Sequence, residues 1–231
     1  MAKIKASIIV FPGSNCDHDA YHALKHIHQQ DVTFIWHKDH DLQNPDLVLI
    51  PGGFSYGDYL RTGAIAQFSP IMEEVYHFAE NGGTVVGICN GFQILLECGL
   101  LPGAMLHNNQ LKFTCKNTYL RCDNNKTFIS NTLALGQVIQ LPVAHGEGNY
   151  FCDSGTLESL HANNQIIFTY CTKDGITDEL SNPNGSLDNI ACISNQRFNV
   201  FGMMPHPERA VELLLGNKDG SYIFDSILQS L

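Results

Sequence analysis

The sequence predicts an α/β protein built on one mostly parallel sheet, with helices on both faces and extra β-strands in its C-terminal half. Three observations carry this prediction. Over residues 5–100 short apolar runs alternate with segments of helical spacing, and each run is apolar throughout. Continuous apolar strands are typical of parallel sheets that are covered on both faces. From about residue 111 onwards, short β-type runs separated by turn residues replace this pattern.

The first half of the chain predicts four strands and three helices. The strands correspond to residues 5–13, 31–37, 45–53 and 83–89, and the helices to residues 17–30, 69–82 and 90–100. The second helix has clear end signals, because Ser69 can cap it, Pro70 suits its first turn and Gly82 suits its end. In such sheets, sites form at the carboxyl ends of the strands.

The second half predicts a mixed or antiparallel extension of the same sheet, or a small second sheet packed on it. The β-type runs are residues 111–122, 126–131, 137–151, 164–172, 189–195 and 199–208. Residues 209–231 then predict one or two closing helices, and the polar segment 172–189 predicts a surface loop. No internal repeat or linker divides residues 1–231, so we expect a single domain.

Composition excludes several classes of function. The chain has 231 residues and a net charge of −10, from 13 basic and 23 acidic residues, which argues against a nucleic-acid-binding protein. No apolar stretch approaches the roughly 20 residues that a membrane span needs. The N-terminal segment predicts a first strand and not a signal peptide, so a cytosolic protein is expected. The eight cysteines of such a protein are expected to be reduced, and because they show no C-x-x-C pair no metal site is expected.

One cysteine stands at a predicted sharp turn. Gly87-Ile88-Cys89-Asn90-Gly91 joins the fourth strand to the third helix in a G-x-C-x-G pattern. A nucleophile at such an elbow projects from the sheet edge, and the backbone N–H groups of the helix start point to the same place. The alternative is a buried structural cysteine whose flanking glycines serve only packing.

A catalytic thiol needs a base, and the base needs an orienting acceptor. His206 and Glu208 are two residues apart in Pro-His-Pro-Glu, so in an extended segment both side chains project to the same side. A carboxylate there can fix the imidazole tautomer. The plain alternative is a rigid turn. In the sequence His-Gly-Glu-Gly, His145 and Glu147 offer polar groups. His145 is either a rival base or part of a loop that lines the site, and the plain alternative is a hairpin without a role in catalysis.

The loop after the third strand contains four glycines within residues 52–63. Its backbone N–H groups can face a site and form an oxyanion hole. The loop lacks the G-x-x-x-x-G-K-S/T spacing of a nucleotide-binding loop. Cys16 also follows a predicted strand, but it lacks glycines on both sides, so we expect a structural role for it.

Together, the segments 87–103, 51–66, 142–151 and 202–210 resemble the class I glutamine amidotransferases, over residues 5 to about 228. The elbow and the Pro-His-Pro-Glu sequence are shared across that family. The sequences FPGSNCD, GGFSYGDYLR and HGEGNY are narrower, and resemble the glutaminase subunits of phosphoribosylformylglycinamidine synthase.

The resemblance implies a Cys-His-Glu triad on a flavodoxin-like sheet. Cys89 would attack the side-chain amide of glutamine, His206 would move the protons and Glu208 would orient His206. Backbone N–H groups of Gly53 and Asn90 would hold the oxyanion. Gln93 would help to seat the L-glutamine.

The resemblance also implies partners. Ammonia would pass to a separate synthetase subunit, which uses ATP and Mg²⁺ to convert formylglycinamide ribonucleotide to the amidine, and a small third subunit is usual. No cofactor is expected in this chain. Two alternatives remain: a stand-alone cysteine hydrolase or peptidase of the same fold, and a non-catalytic regulatory subunit.

Overall fold

The computed structural model describes residues 3–231, so Met1 and Ala2 of the expected single domain lie outside the described residues. The division into domains stays a prediction. Eleven strands are present among the described residues: β1 (Lys5–Val10), β2 (Asp31–Trp36), β3 (Leu47–Ile50), β4 (Thr84–Ile88), β5 (Ala104–Leu106), β6 (Thr114–Cys122), β7 (Val138–His145), β8 (Asn149–Phe151), β9 (Ile166–Cys171), β10 (Ile190–Ser194) and β11 (Val200–Met203).

Five α-helices accompany the strands within the described part of the chain: α1 (Asp17–Tyr21), α2 (Pro70–Glu80), α3 (Asn90–Glu97), α4 (Ser154–Ala162) and α5 (Ser221–Ser230). The helix α1 continues as a π-helix over His22–Ile27. Ile71, Met72, Val75 and Ala79 form the buried face of α2, with the spacing that an amphipathic helix requires. None of the helices in residues 3–231 combines the length and the apolar character needed to cross a bilayer.

Nine strands form one sheet in the order β2-β1-β3-β4-β11-β10-β9-β6-β7. The first five of these pair in parallel. Every residue of β3, β4 and β11 is buried, which confirms the prediction of parallel strands covered on both faces. Because parallel strands share one direction, the segments that follow β1, β3, β4 and β11 meet at the same edge of the sheet.

The other four strands extend the sheet in antiparallel fashion, as the first alternative predicted. The strands β5 and β8 form an additional two-stranded sheet. In a flat sheet β7 would lie about 19 Å from β11, at about 4.8 Å per strand. Yet the His206 N–H, just beyond β11, donates a 2.8 Å hydrogen bond to the Pro142 carbonyl of β7. The β6–β7 hairpin therefore curls back over the carboxyl edge of the parallel strands.

One prediction in the second half was wrong. Residues 126–131 form a turn and not a strand, because the Thr127 and Ser130 hydroxyls pair at 2.6 Å and Ile129 is buried in the core. Of the one or two closing helices that were expected, one α-helix is present, α5, since Leu213–Leu215 form only a 3₁₀ turn.

The helix α4 was not predicted. Its only buried residue is Leu160, so it lacks a strong apolar periodicity. The local signal that it does have is its cap, because the Asp153 side chain accepts a 2.9 Å hydrogen bond from the Thr156 N–H.

Candidate active site

Cys89 lies at a strained turn between β4 and α3. Its backbone has φ +50° and ψ −105°, a conformation that a residue with a Cβ rarely adopts. The Cys89 N–H donates a 2.7 Å hydrogen bond to the Met203 carbonyl, which ties the turn to the end of β11. The helix can approach this closely only because residue 91 is glycine, since a Cβ there would lie 1.9 Å from the Ile50 carbonyl oxygen. The elbow geometry predicted from the glycines is therefore present.

His206 and Glu208 form a buried pair in the turn that follows β11. The His206 Nδ1 atom lies 2.6 Å from Glu208 Oε1, and both side chains are 1% exposed. The other ring nitrogen, Nε2, is buried without a hydrogen-bond partner among the described residues. The carboxylate thus fixes the ring through one nitrogen and leaves the other available for a proton transfer.

The electrostatics of this pair favour a charged imidazole. Burial alone would lower the pKa of His206, but the negative charges of Glu208 and of a Cys89 thiolate raise the pKa well above its usual value. An imidazolium at this position carries a proton that it can donate to a leaving group. The arrangement can therefore supply a nucleophile together with the proton for a leaving group.

Gly52 lies next to both His206 and Cys89. A Cβ on Gly52 would lie 2.7 Å from His206 Cε1 and 3.4 Å from Cys89 Cβ. A cavity of about 200 Å³ lies beside it and is lined by both Cys89 and His206. The predicted nucleophile and the predicted base thus share one cavity.

Cys16 lies in this cluster as well, which its sequence context did not indicate. Its Sγ atom accepts a 3.1 Å hydrogen bond from Arg209 Nη2, and the side chain is buried. Donor atoms of Cys16, His206 and Glu208 lie within 4.8 Å of one another, a spacing that a metal ion could bridge. The neighbouring guanidinium opposes a cation at this place. The absence of a metal centre stays a prediction.

Gly53 and Asn90 follow the ends of the adjacent strands β3 and β4, as the sequence predicted. The Asn90 side chain links the loop to the helix, since Oδ1 accepts from the Ser55 N–H at 3.0 Å and Nδ2 donates to Gln93 Oε1 at 3.0 Å. The Gln93 Nε2 group donates to the Glu147 carbonyl at 2.6 Å. The amide of Gln93 therefore holds the wall of the site together in addition to lining it.

A second cavity, of about 240 Å³, adjoins the first and also has Cys89 in its lining. We call Asp58, Thr62 and Glu147, which line it, the acidic wall. The Thr62 hydroxyl donates a 2.7 Å hydrogen bond to Glu147 Oε2. Burial and the nearby charge of Glu147 raise the pKa of Asp58 to about 6. From the sequence, Glu147 was expected only as a polar group beside His145, and no role in the site was predicted for Asp58 or Thr62.

His145 lies in the wall between the cavities and the core. Its Nδ1 atom lies 3.1 Å from Asn108 Oδ1, and Asn184 Nδ2 lies 3.4 Å from Nε2. Burial, together with the charge of His206, lowers the pKa of His145 to about 4, so the ring is neutral. Because both ring nitrogens already have polar neighbours, His145 is better suited to lining the cavity than to acting as the catalytic base. Asn184 belongs to the segment 172–189, which the sequence analysis left without a role.

Three larger grooves lie away from these groups. One of about 670 Å³ runs between α2 and α4, one of about 620 Å³ lies beside α4 and the 177–189 segment, and one of about 410 Å³ lies beside residues 123–126. None of the three is lined by a cysteine. The groups suited to nucleophilic chemistry are thus found in the two smaller cavities that share Cys89.

Comparison with known proteins agrees with this geometry. Residues 3–220 match the family model of the CobB/CobQ-like glutamine amidotransferase domain. The chain is 56% identical to the phosphoribosylformylglycinamidine synthase subunit PurQ of Moorella thermoacetica, over 97% of this chain and 95% of that protein. It is 54% identical to the subunit of the same name from Koribacter versatilis, over 99% of each chain.

A solved structure matches over the same extent. A chain in the structure of PurLQS from Thermotoga maritima superposes with a TM-score of 0.87 at 43% identity, covering 99% of both chains. Since the family model and these relatives span nearly all of the sequence, the chain belongs to the CobB/CobQ-like glutamine amidotransferases and, within them, to the family of PurQ subunits.

Proposed function

We propose that this chain is the glutaminase subunit of phosphoribosylformylglycinamidine synthase, and that Cys89, His206 and Glu208 are its catalytic residues. The family membership supports the overall activity. The residue roles are supported by a single observation: a nucleophile in a strained elbow shares one cavity with a buried histidine whose free nitrogen has no other partner among the described residues.

In the proposed reaction, the Cys89 sulfur attacks the side-chain amide carbon of glutamine. His206 holds the thiol proton on Nε2 and delivers it to the amide nitrogen, so that the C–N bond breaks and ammonia leaves. A thioester on Cys89 remains. Water then attacks the thioester and loses a proton to His206, glutamate leaves, and the proton returns to the thiol.

Glu208 acts on the reaction through His206. Its short hydrogen bond to Nδ1 holds the ring so that Nε2 faces the reacting atoms. The oxyanion that forms on the amide oxygen is stabilised by the backbone N–H groups of Gly53 and Asn90. Gln93 lines the cavity and helps to seat the substrate.

The ammonia passes to a synthetase subunit in the same complex. That subunit, and not this chain, uses ATP and Mg²⁺ to convert formylglycinamide ribonucleotide to formylglycinamidine ribonucleotide, and a small third subunit completes the complex. No cofactor is assigned to this chain. All eight cysteines are free, and the cytosolic location expected from the N-terminal segment stays a prediction.

The experiment that tests this function measures glutamine hydrolysis by the purified chain, alone and with a cognate synthetase, ATP and formylglycinamide ribonucleotide. We expect weak hydrolysis by the chain alone and a large increase in the assembled complex. Vigorous hydrolysis that the synthetase leaves unchanged would instead identify a stand-alone hydrolase. No turnover in either setting would identify a regulatory subunit.

A further inference from the structure

We propose that Asp58 and Glu147 bind the α-ammonium group of glutamine and so select the free amino acid as the substrate. This inference rests on the proposed function, because it names the part of the same cavity that recognises the non-reacting end of the substrate.

The two carboxylates and the nucleophile line one cavity. Asp58 comes from the loop after β3, and Glu147 comes from the loop between β7 and β8, so the cavity is closed from two sides. Its volume of about 240 Å³ suits an amino acid, because pockets for drug-sized ligands measure about 300–1,000 Å³. Gln93 joins the two sides through the Glu147 carbonyl.

The charges in this cavity call for a cation. Asp58 Oδ1 is buried and has no hydrogen-bond partner among the described residues. Within residues 3–231, no lysine or arginine forms an ion pair with Asp58 or Glu147. The adjacent Arg61 pairs with Glu97 instead. Among the described residues, the polar groups next to the Glu147 carboxylate are the Thr62 hydroxyl and the exposed His107 ring, whose Nδ1 atom lies 3.4 Å from Oε1. A buried carboxylate oxygen without a hydrogen-bond partner, as in the partly buried Asp58, is costly, and a bound ammonium group reduces that cost.

A second buried polar atom without a partner among the described residues belongs to the adjoining cavity that also has Cys89 in its lining. This atom is Nε2 of His206, in a side chain that is 1% exposed. A glutamine molecule offers complementary groups for the histidine and for the carboxylates: an amide nitrogen that takes a proton, and an α-ammonium four bonds from the amide carbon, about 5 Å away. One small ligand that reacts at Cys89 can therefore satisfy both sets of groups.

This subsite also separates free glutamine from glutamine in a peptide. Within a peptide the α-nitrogen is an uncharged amide and cannot pair with two carboxylates. Binding of the ammonium would thus exclude proteins as substrates, which the elbow and the triad alone would not do. A site built around buried polar groups rejects analogues that leave those groups unpaired.

The test compares glutamine with glutaramate, in which hydrogen replaces the α-ammonium group and the amide is intact. The variants are Asp58→Asn and Glu147→Gln, and both are measured in the assembled complex. Asparagine is chosen at position 58 because it tolerates the positive φ of that residue as aspartate does. We expect the wild type to prefer glutamine by about 100-fold in kcat/KM, and each variant to lose most of that preference with glutaramate turnover nearly unchanged. Glu158→Gln, at an exposed position on α4, is the matched control and should keep the wild-type ratio.

Three results would overturn the proposal. Equal loss of turnover with both substrates would show a role in positioning the loop, and an unchanged ratio would show no role in recognition. A glutamine KM that depends on added Mg²⁺ or on a chelator in the wild type, but not in the variants, would show a metal subsite in place of the ammonium. The proposed function and this proposal fail in different ways. A wild type that hydrolyses neither glutamine nor glutaramate refutes the proposed function and this proposal with it, whereas the three results above refute this proposal alone.

Discussion

The two sides of the cavity around Cys89 are built in different ways. On one side, which we call the nucleophile wall, Cys89, His206 and Glu208 sit at the ends of β4 and β11 and are buried. On the other side, Asp58 and Glu147 of the acidic wall come from loops and are only partly buried. The backbone fixes the groups that make and break bonds, whereas loops carry the groups that recognise the substrate.

This difference has separable consequences. Changes in the nucleophile wall should alter the chemical step, because the groups there act on reacting atoms. Changes in the acidic wall should alter substrate preference and the pH dependence of stability, because among the described residues neither of its carboxylates is paired with a lysine or an arginine. The following predictions test that separation, beginning with the largest expected effect.

Cys89→Ala should abolish glutamine-dependent synthesis by the complex, with a loss of about 10⁴-fold or more, because the thioester cannot form. Ammonia-dependent synthesis should continue at the wild-type rate. Steady-state assays with each nitrogen source measure both effects. Cys115→Ala, at an exposed thiol, is the matched control. An alanine variant at position 89 that still hydrolyses glutamine would show that the nucleophile is another residue.

Glu208→Gln should lower kcat by about 10³-fold, because a neutral amide no longer holds His206 in its charged form. The matched control is Glu212→Gln, which removes the carboxylate of the exposed His22–Glu212 pair, at 2.9 Å with side chains 44% and 32% exposed. That change should leave kcat within about twofold, since exposed pairs contribute little.

The same variant tests the sign of the electrostatics. Glu208 raises the pKa of His206, so the stability that the charged imidazole contributes is present at low pH and is lost as the pH rises through the raised pKa. In Glu208→Gln the imidazole should deprotonate at a lower pH, as an NMR titration of the ring would show. An unchanged titration would mean that the pair is not coupled as the structure indicates.

Gly91→Ala should lower the free energy of unfolding by about 3 kcal/mol, because the new Cβ would meet the Ile50 carbonyl at 1.9 Å and neither backbone can move freely. For a chain of this size the melting temperature should fall by about 6–12 °C. Gly155→Ala on α4 is the control and should change the unfolding free energy by no more than about 1 kcal/mol. A Gly91→Ala protein as stable as the wild type would show that the elbow can relax.

Asp58→Asn should have the smallest effect on the free energy of unfolding, and it should raise that free energy where Gly91→Ala lowers it. Because the pKa of Asp58 is raised to about 6, ionising the carboxyl costs stability as the pH rises through that value. After allowance for its partial exposure, the variant should be about 1 kcal/mol more stable at pH 8 and equally stable near pH 4. Urea denaturation at the two pH values measures this difference. A variant that is less stable at pH 8 would mean that Asp58 has a stabilising partner in the folded protein.

The nucleophile wall was predictable from the sequence because its signals are local. Five consecutive residues around Cys89 specify the elbow, and His206 and Glu208 are two positions apart. The parallel strands were predictable for the same reason, since β3 and β4 are apolar throughout and therefore need cover on both faces. These elements are determined by patterns that extend over about ten residues.

The acidic wall depends on contacts between distant parts of the chain. Asp58 and Glu147 meet only because the β6–β7 hairpin curls back over the sheet edge, and no local pattern reveals that curl. Cys16 and Arg209 are likewise brought together by the parallel order of β1 and β11 in the sheet. The helix α4 was not predicted because it is only weakly amphipathic. Residues 126–131 resembled a strand because they include an apolar residue, Ile129, which is buried although it lies in a turn.

The most direct test of the central claim maps the reaction of a glutamine-analogue thiol alkylator over all eight cysteines of the assembled complex. The structure predicts modification of Cys89 alone, with glutamine protecting it and with a slower reaction in Asp58→Asn, because the analogue carries the same α-ammonium group. Modification of Cys16 or of any other thiol in place of Cys89 would contradict the assignment of the nucleophile. An equal rate in Asp58→Asn would leave Cys89 as the nucleophile and remove the acidic wall from substrate recognition.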